Sequence, residues 1–248
     1  MQQPVNEIEK TVHNSGTWFG FNKSYISEFV YGGIDGAITT FAVVAGAAGA
    51  GIGMEVVLVL GFANLIADGF SMSVGNYFST KASHDNFDKH RRAELWKVEN
   101  KPDNKREEIR EIYAKKGLEG DLLEQLVGVI TSNKEVWVDT MMKEELEMVK
   151  EVKPPVKTAF ITFVSFFVVG LIPLLSYLAA MFLHLPGRSL FLISCIATGI
   201  GLTIVGFLKS VVTEKGRFQG IIETVGLGGI AAALAYLVGS VLEQWVLN

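Results

Sequence analysis

Five stretches of this chain are apolar over the length that a bilayer demands. A hydrocarbon core about 30 Å thick takes about 20 residues of α-helix to cross, and residues 27–52, 54–77, 156–183, 189–212 and 220–246 all meet that length. The first two are joined by a turn rich in glycine at Gly49, Gly51 and Gly53. Joints this short make neighbouring helices antiparallel. Gly32, Gly33, Asp35 and Gly36 interrupt the first stretch, which leaves a re-entrant or buried helix as the alternative to a full span. The reading taken is a full span whose polar residues face a bundle interior, as acids in membranes usually do. Between the second and third stretches the pattern changes. Leu118, Leu122, Leu123, Leu126, Val127 and Ile130 recur at helical spacing, as do Val136, Trp137, Met141, Leu146 and Val149, with Pro102 and Gly117 as punctuation. This predicts three or four short amphipathic helices that pack on each other. No breaker separates them from the second span at Tyr77 and Phe78. The chain therefore reads as an all-α integral membrane protein, with five transmembrane helices and a cytosolic helical insert between the second and third. Its segments are an N-terminal tail over 1–23, the first two spans over 24–80, the insert over 81–153 and the last three spans over 154–248.

Composition alone would mislead, because 49% hydrophobic residues with 22 Lys and Arg and 26 Asp and Glu describe a slightly apolar soluble protein. Distribution decides otherwise. Of those, 15 basic and 17 acidic residues fall within 81–153, so the remainder is too poor in charge for a soluble globule and too apolar for disorder. The same basic residues set the topology. Lys10 and Lys23 precede the first span, and Lys209, Lys215 and Arg217 flank the joint between the fourth and fifth, while the opposite side has Arg188 alone. The positive-inside rule then puts the N-terminus and residues 81–153 in the cytosol and Asn248 outside. The tail has no apolar core of a signal peptide. A net charge of −4, with acids and bases mixed, argues against nucleic acid as a partner. Cys195 is the single cysteine and has no disulfide partner in the chain.

Among the carboxylates that fall within or at the ends of the spans are Glu28, Asp35, Asp68 and Glu223. A carboxylate in hydrocarbon costs at least about 2.5 kcal/mol, so its retention points to a use. Glu28 and Asp35 are two turns apart on one face, and Asn64, Asp68 and Met72 form a stripe on the second span. Counted from the span ends, Asp35 and Met72 come to similar depth. A hard carboxylate beside a soft thioether suits a borderline transition ion, whereas all-oxygen sites suit magnesium or calcium. Met72 taken alone reads first as packing, since methionine is a common gap filler. Asp68 reads as a proton carrier, a second ligand or a polar partner for another helix, and Glu223 as a side chain that snorkels to the cytosolic interface. The glycines beside Asp35 either let backbones approach closely or open a cavity. No Walker A loop, no paired Glu-x-x-His motif and no nucleophile beside a base is present, so neither ATP-driven transport nor an enzyme is expected.

Three separated motifs resemble the vacuolar iron transporter (VIT) family of eukaryotes and its prokaryotic relatives. They are Tyr31-Gly-Gly-Ile-Asp-Gly36 followed by Ala37-Ile-Thr-Thr-Phe-Ala42, then Ser71-Met72 with Gly75 and Tyr77, then Met141-Met142-Lys-Glu-Glu-Leu146. The resemblance covers residues 24–246. It implies a homodimer whose first spans line a central path, exporting Fe²⁺, with Mn²⁺ or other divalent ions, from cytosol in exchange for protons. The metal is then cargo and no prosthetic group is implied. The membrane would be the plasma membrane in a prokaryote and the vacuolar membrane in a eukaryote. The resemblance carries path roles to Asp35 and Met72, with Glu28 at the cytosolic mouth, and metal ligation in the insert to Glu94, Glu108, Met141 and Glu145. This sequence departs from the pattern at Lys97 and Lys105, where insert glutamates are expected, and at Asn64, where a second-span glutamate is expected. Glu111 is the best substitute in the insert, ahead of Glu99 and Glu107, and Asp68 lies one turn from Asn64. His90 and Glu94 are also four apart and could share a metal. The competing class is a membrane-anchored metal-binding or sensing protein whose spans only dimerise.

Overall fold

The structure, a computed structural model, describes residues 23–183, 187–213 and 216–246. The expected tail, apart from Lys23, lies outside the described residues, as do Lys215 and Asn248. Among the described residues the regular elements are all helical: α1 (Ile26–Gly49), α2 (Met54–Asn100), α3 (Pro102–Lys115), α4 (Gly120–Ser132), α5 (Lys134–Glu144), α6 (Pro155–Gly170), α7 (Leu175–Leu183), α8 (Gly187–Thr213) and α9 (Arg217–Val246). Five stretches are long and apolar enough to cross a membrane, and α6 with α7 supplies the third of them. Pro173 explains why that span has two labels. Proline has no N–H to donate and its ring crowds the preceding turn, so α6 stops at Gly170, Ile172–Leu174 tightens into a 3₁₀ turn, and α7 resumes. The Ser194 hydroxyl donates to the Pro173 carbonyl at 2.6 Å, satisfying an acceptor at the break.

The chain divides into two compact units, with the boundaries after Tyr77 and before Val156. In the membrane unit, α1 is an unbroken helix of 24 residues. At 1.5 Å per residue that is about 36 Å, enough for a full crossing. Between helices in lipid there is little hydrophobic drive, so close backbone contact and hydrogen bonds must hold the bundle. Gly32 and Gly36 supply the first. A Cβ built on Gly36 would lie 2.3 Å from the Phe166 carbonyl oxygen, and one on Gly32 would lie 2.2 Å from the Ser165 hydroxyl. Of the two readings of these glycines, close approach holds against α6. At the other end of α1, a Cβ on Gly49 would meet the Tyr236 carbonyl of α9 at 2.2 Å. Phe41, Val44 and Ala45 of α1 then close on Val57, Leu58 and Leu65 of α2 and on Phe166 and Leu174. Hydrogen bonds fasten α2 to α6, where Ser73 donates to the Ala159 carbonyl at 2.9 Å and the Asn76 amide to the Thr162 hydroxyl at 2.6 Å.

The second unit, residues 78–155, builds its own core from Phe87, Val98, Ile109, Leu123, Val127, Ile130, Trp137, Val138, Met141 and Met142. Leu122, Val136 and Val149 were expected on the packed faces and are exposed. Leu122 is about 100° around the helix from Leu123, which takes the inward position, and Val149 lies beyond the end of α5. Asn133 starts that helix, its side-chain carbonyl accepting from the N–H groups of Glu135 and Val136 at 3.0 and 3.3 Å.

The glycine contact makes a direct test. Gly36→Val should force α1 off α6 at a cost of about 3 kcal/mol or more. Its melting temperature in detergent, followed by fluorescence-detected size exclusion, should fall sharply. Gly226→Ala, at a glycine with nothing within 4 Å of its would-be Cβ, should melt like the parent.

Candidate metal path and carboxylate cluster

Two groups of the expected site residues come together, one in each unit. In the membrane unit the register between α1 and α2 is set by polar side chains. The Asn64 amide donates to the hydroxyls of Thr39 at 3.4 Å and Thr40 at 3.3 Å, and Thr39 in turn donates to the Asp35 carbonyl at 2.9 Å. For antiparallel helices, Asn64 opposite Thr39 and Thr40 puts Asp68 one turn along, opposite Asp35. Those two carboxylates lie within electrostatic reach of each other. Met72 falls a further turn along α2. The depth match expected for Asp35 and Met72 is therefore displaced by one turn, because α2 does not end near Tyr77 and so gives no end to count from.

Asp35 is half-buried, whereas Asp68 is exposed on the surface of the chain beside exposed Ile66 and Phe70. Asp68 is fourteen residues from the start of α2, about 21 Å along the span. Such a depth is hostile to a carboxylate facing lipid. Met72 is half-buried and packs against the core around Phe41, Leu65 and Phe166. Glu28 is half-buried near the first turn of α1 and accepts from the Ser27 hydroxyl at 3.0 Å. Glu223 accepts from Lys209 at 3.0 Å and from Gln219 at 3.1 Å, an exposed pairing that fits its interfacial position.

In the insert the acids gather around a lysine. Glu94 of α2, Glu108 of α3 and Glu145 just past α5 surround the ammonium of Lys105. Lys105 Nζ lies 2.8 Å from Glu94 Oε2 and 2.9 Å from Glu145 Oε2, and donates to Glu108 Oε2. Lys97 takes the other oxygen of Glu94, donating to Oε1 at 2.6 Å. Glu94 is 1% exposed and Lys105 is 3% exposed. Burial pushes the Glu94 carboxyl up, but the ammonium groups of Lys105 and Lys97 outweigh it and hold the group below the usual carboxylate range. Burial likewise pulls Lys105 down, and hydrogen bonds and charge from Glu108, Glu94 and Glu145 carry it above the ordinary lysine value.

The remaining expected insert ligands lie elsewhere. Met141 is fully buried in the apolar core, and Glu111 is exposed. Glu99 pairs with Lys134 and Glu107 with Arg110. Around them run further surface pairs, Arg91 with Glu135 and Lys116 with Glu144. Among the described residues no group of three or more His, Cys, Asp or Glu is arranged to hold a metal. Sequence reasoning missed the central place of Lys105 and the register-setting Thr39, Thr40 and Asn64. The Lys105 and Glu108 spacing, three apart on one helix, was the available signal.

Comparison with known proteins agrees with the motif-based resemblance. The family model of the VIT family matches residues 26–240. A protein of Toxoplasma gondii named vacuolar iron transporter is 34% identical over 234 residues, spanning 90% of this chain and 76% of its own length. A vacuolar iron transporter of Plasmodium falciparum is 30% identical over 250 residues, spanning 98% and 92%. Vacuolar iron transporter 1 of Eucalyptus grandis is 31% identical over 212 residues, spanning 85% and 84%.

The ion cluster gives the insert a defined pH response. A carboxylate held below its ordinary value contributes stability that is full above the unfolded value and is lost as pH falls through the folded one. The raised Lys105 contributes stability that is full below its ordinary value near 10.5 and is lost only at pH above that. Protection factors for amide exchange over residues 87–142 in the full chain, taken relative to the intrinsic rate at each pH, should therefore be steady from about pH 5 to pH 10 and fall as the medium is made more acidic than about pH 4.5. Glu94→Gln should lose about 3 kcal/mol of protection at neutral pH, since it leaves a buried ammonium short of a partner, and should show a shallower acid limb.

Proposed function

The chain belongs to the VIT family, and from that premise we propose that it exports Fe²⁺, with Mn²⁺ as a second cargo, from the cytosol in exchange for protons. It is a multi-pass membrane protein and a transporter rather than an enzyme, with iron as cargo and no prosthetic group. The observation that carries the mechanism is the facing pair Asp35 and Asp68, held level by Asn64 on Thr39 and Thr40. Two carboxylates at one depth give oxygen ligands for a divalent ion. Protonation of either removes charge and makes it a poor ligand, so a proton arriving from the far side releases the metal. Met72, one turn along α2, offers the soft donor that favours a transition ion over magnesium or calcium. Glu28, two turns from Asp35 toward the start of α1, is the cytosolic mouth. The N-terminus and residues 81–153 face the cytosol in this reading, which the distribution of Lys and Arg supports.

The exposure of Asp68 supports a second copy of the chain. A carboxylate at mid-span, flanked by Ile66 and Phe70, cannot remain against lipid without a cost of at least about 2.5 kcal/mol. Two copies meeting on the α1 and α2 surface bury that group and enclose a shared path. Met72 then serves packing and path together, its stem against the core and its thioether available along α2.

Fe²⁺ flux into proteoliposomes under a pH gradient tests the assignment. Asp35→Ala should reduce flux at least tenfold, and Asp68→Asn should reduce both the flux and its dependence on the gradient. Met72→Leu, which keeps the packing and removes the thioether, should lower flux severalfold for Fe²⁺ with little change in the melting temperature. Equal flux from the parent protein and D35A would sink the mechanism, and normal gradient dependence in D68N would remove Asp68 from proton coupling.

A further inference from the structure

We infer that Lys105 is the resident cation of the insert, occupying the place that a metal ion would need and tying three helices together without one. This goes beyond the transport assignment and does not depend on it. The family resemblance implies that Glu94, Glu108 and Glu145 ligate metal, and the residues present do not fit that use. One ammonium already sits among all three carboxylates, within 2.9 Å of both Glu94 and Glu145 and hydrogen-bonded to Glu108. Carboxylate oxygens hold hard divalent ions at about 2.0–2.6 Å, so an ion bridging these three groups would coincide with the lysine nitrogen.

Displacement is opposed from two sides. The second ammonium, on Lys97, keeps its hold on Glu94 and would face an incoming divalent cation at close range. The neighbouring cavity, about 510 Å³, into which Lys105 would have to withdraw, is lined by Lys97 and Lys101 and also by Glu108 and Glu145, with Trp96 and Asn104. A withdrawn ammonium would meet two others there and would lose the buried carboxylate of Glu94. The Lys105 side chain is also buried along its length, so withdrawal would open the packing between α3 and its neighbours. The arrangement has the connectivity of a metal clip. Its three carboxylates come from α2, α3 and the end of α5, up to 51 residues apart in the chain, and one cation joins them. A covalently tethered ammonium differs from a metal in one respect that matters here: it cannot dissociate. The insert is therefore held closed at every metal concentration, and its order carries no signal about cytosolic metal.

Hydrogen exchange on the full-length protein in detergent tests this without recourse to transport. Residues 87–145 of the parent chain should show the same protection, within a factor of two, in EDTA and in excess Mn²⁺. Lys105→Met should lose at least tenfold in protection across α3 and the end of α5, because three carboxylates are left facing one another. The quadruple variant K105M/E94Q/E108Q/E145Q, which removes cation and charges together, should recover to within about threefold of the parent, as neutral replacements of a buried ion cluster commonly do. Tenfold loss of protection in EDTA, or tenfold gain in Mn²⁺, in the parent chain would overturn the inference. So would a quadruple variant that stays as open as K105M, or a K105M protein as protected as the parent.

Discussion

The contact of α1 with α6, where Gly36 brings its backbone against that of Phe166, is the constraint from which the membrane unit follows. In lipid an apolar side chain gains almost nothing by leaving hydrocarbon for another helix, so association has to come from packing density and polar bonds. Glycine makes both available by removing the atoms that would keep backbones apart. Seating Gly32 and Gly36 on α6 also fixes the rotation of α1. Asp35, one residue from Gly36, is turned about 100° away from that contact, and Thr39 lies one turn beyond it on the same stripe. The polar stripe is thus available to α2, and Asn64 reads it through Thr39 and Thr40. Close packing on one side of α1 positions the chemistry on another.

The insert obeys different physics because water competes for every charge. Surface pairs such as Arg110 with Glu124 or Arg91 with Asp139 add little, for the exposed ends of long side chains are well solvated and lose entropy when held. Lys105 and Glu94 are another matter, since neither can return to water while the helices stay packed. Their value lies less in net stability than in specification. A buried charge satisfied by three helices tolerates one arrangement of them and penalises the rest. The apolar core of Val127, Val138, Met141 and Ile109 supplies the bulk of the cohesion, and the ion cluster adds a polar contact among α2, α3 and the end of α5.

Much of the architecture was legible in the sequence because apolar length and charge segregation are one-dimensional properties. The five spans and the helical insert could both be read from positions along the chain. Register could not. Asp35 and Met72 looked level when counted from span ends, but α2 runs on to Asn100 and the real anchor is an amide bonded to two hydroxyls 24 and 25 residues away. The same limit hid the centre of the insert. The three-residue spacing of Lys105 and Glu108 is local, whereas Glu145 is 40 residues distant and arrives only through the packing of α5. Lys105 could be read as a departure from a ligand pattern. That it occupies the centre of the pattern required the fold.

The two carboxylate groups of this chain differ in where their countercharge comes from, and that difference separates their functions. In the insert each clustered acid meets a lysine of the same chain, so most of the countercharge is built in and an outside cation would have to compete with a tethered one. Among the described residues neither Asp35 nor Asp68 has an ion-pair partner. A carboxylate at the depth of a bilayer is costly without a countercharge, and under the proposed function a metal or a proton supplies it at the same oxygens. Exchange of one for the other at these oxygens is the step on which the proposed antiport rests. A lysine beside Asp35 would satisfy the charge and end the exchange. The chain places its lysines at the insert cluster and keeps them away from that pair.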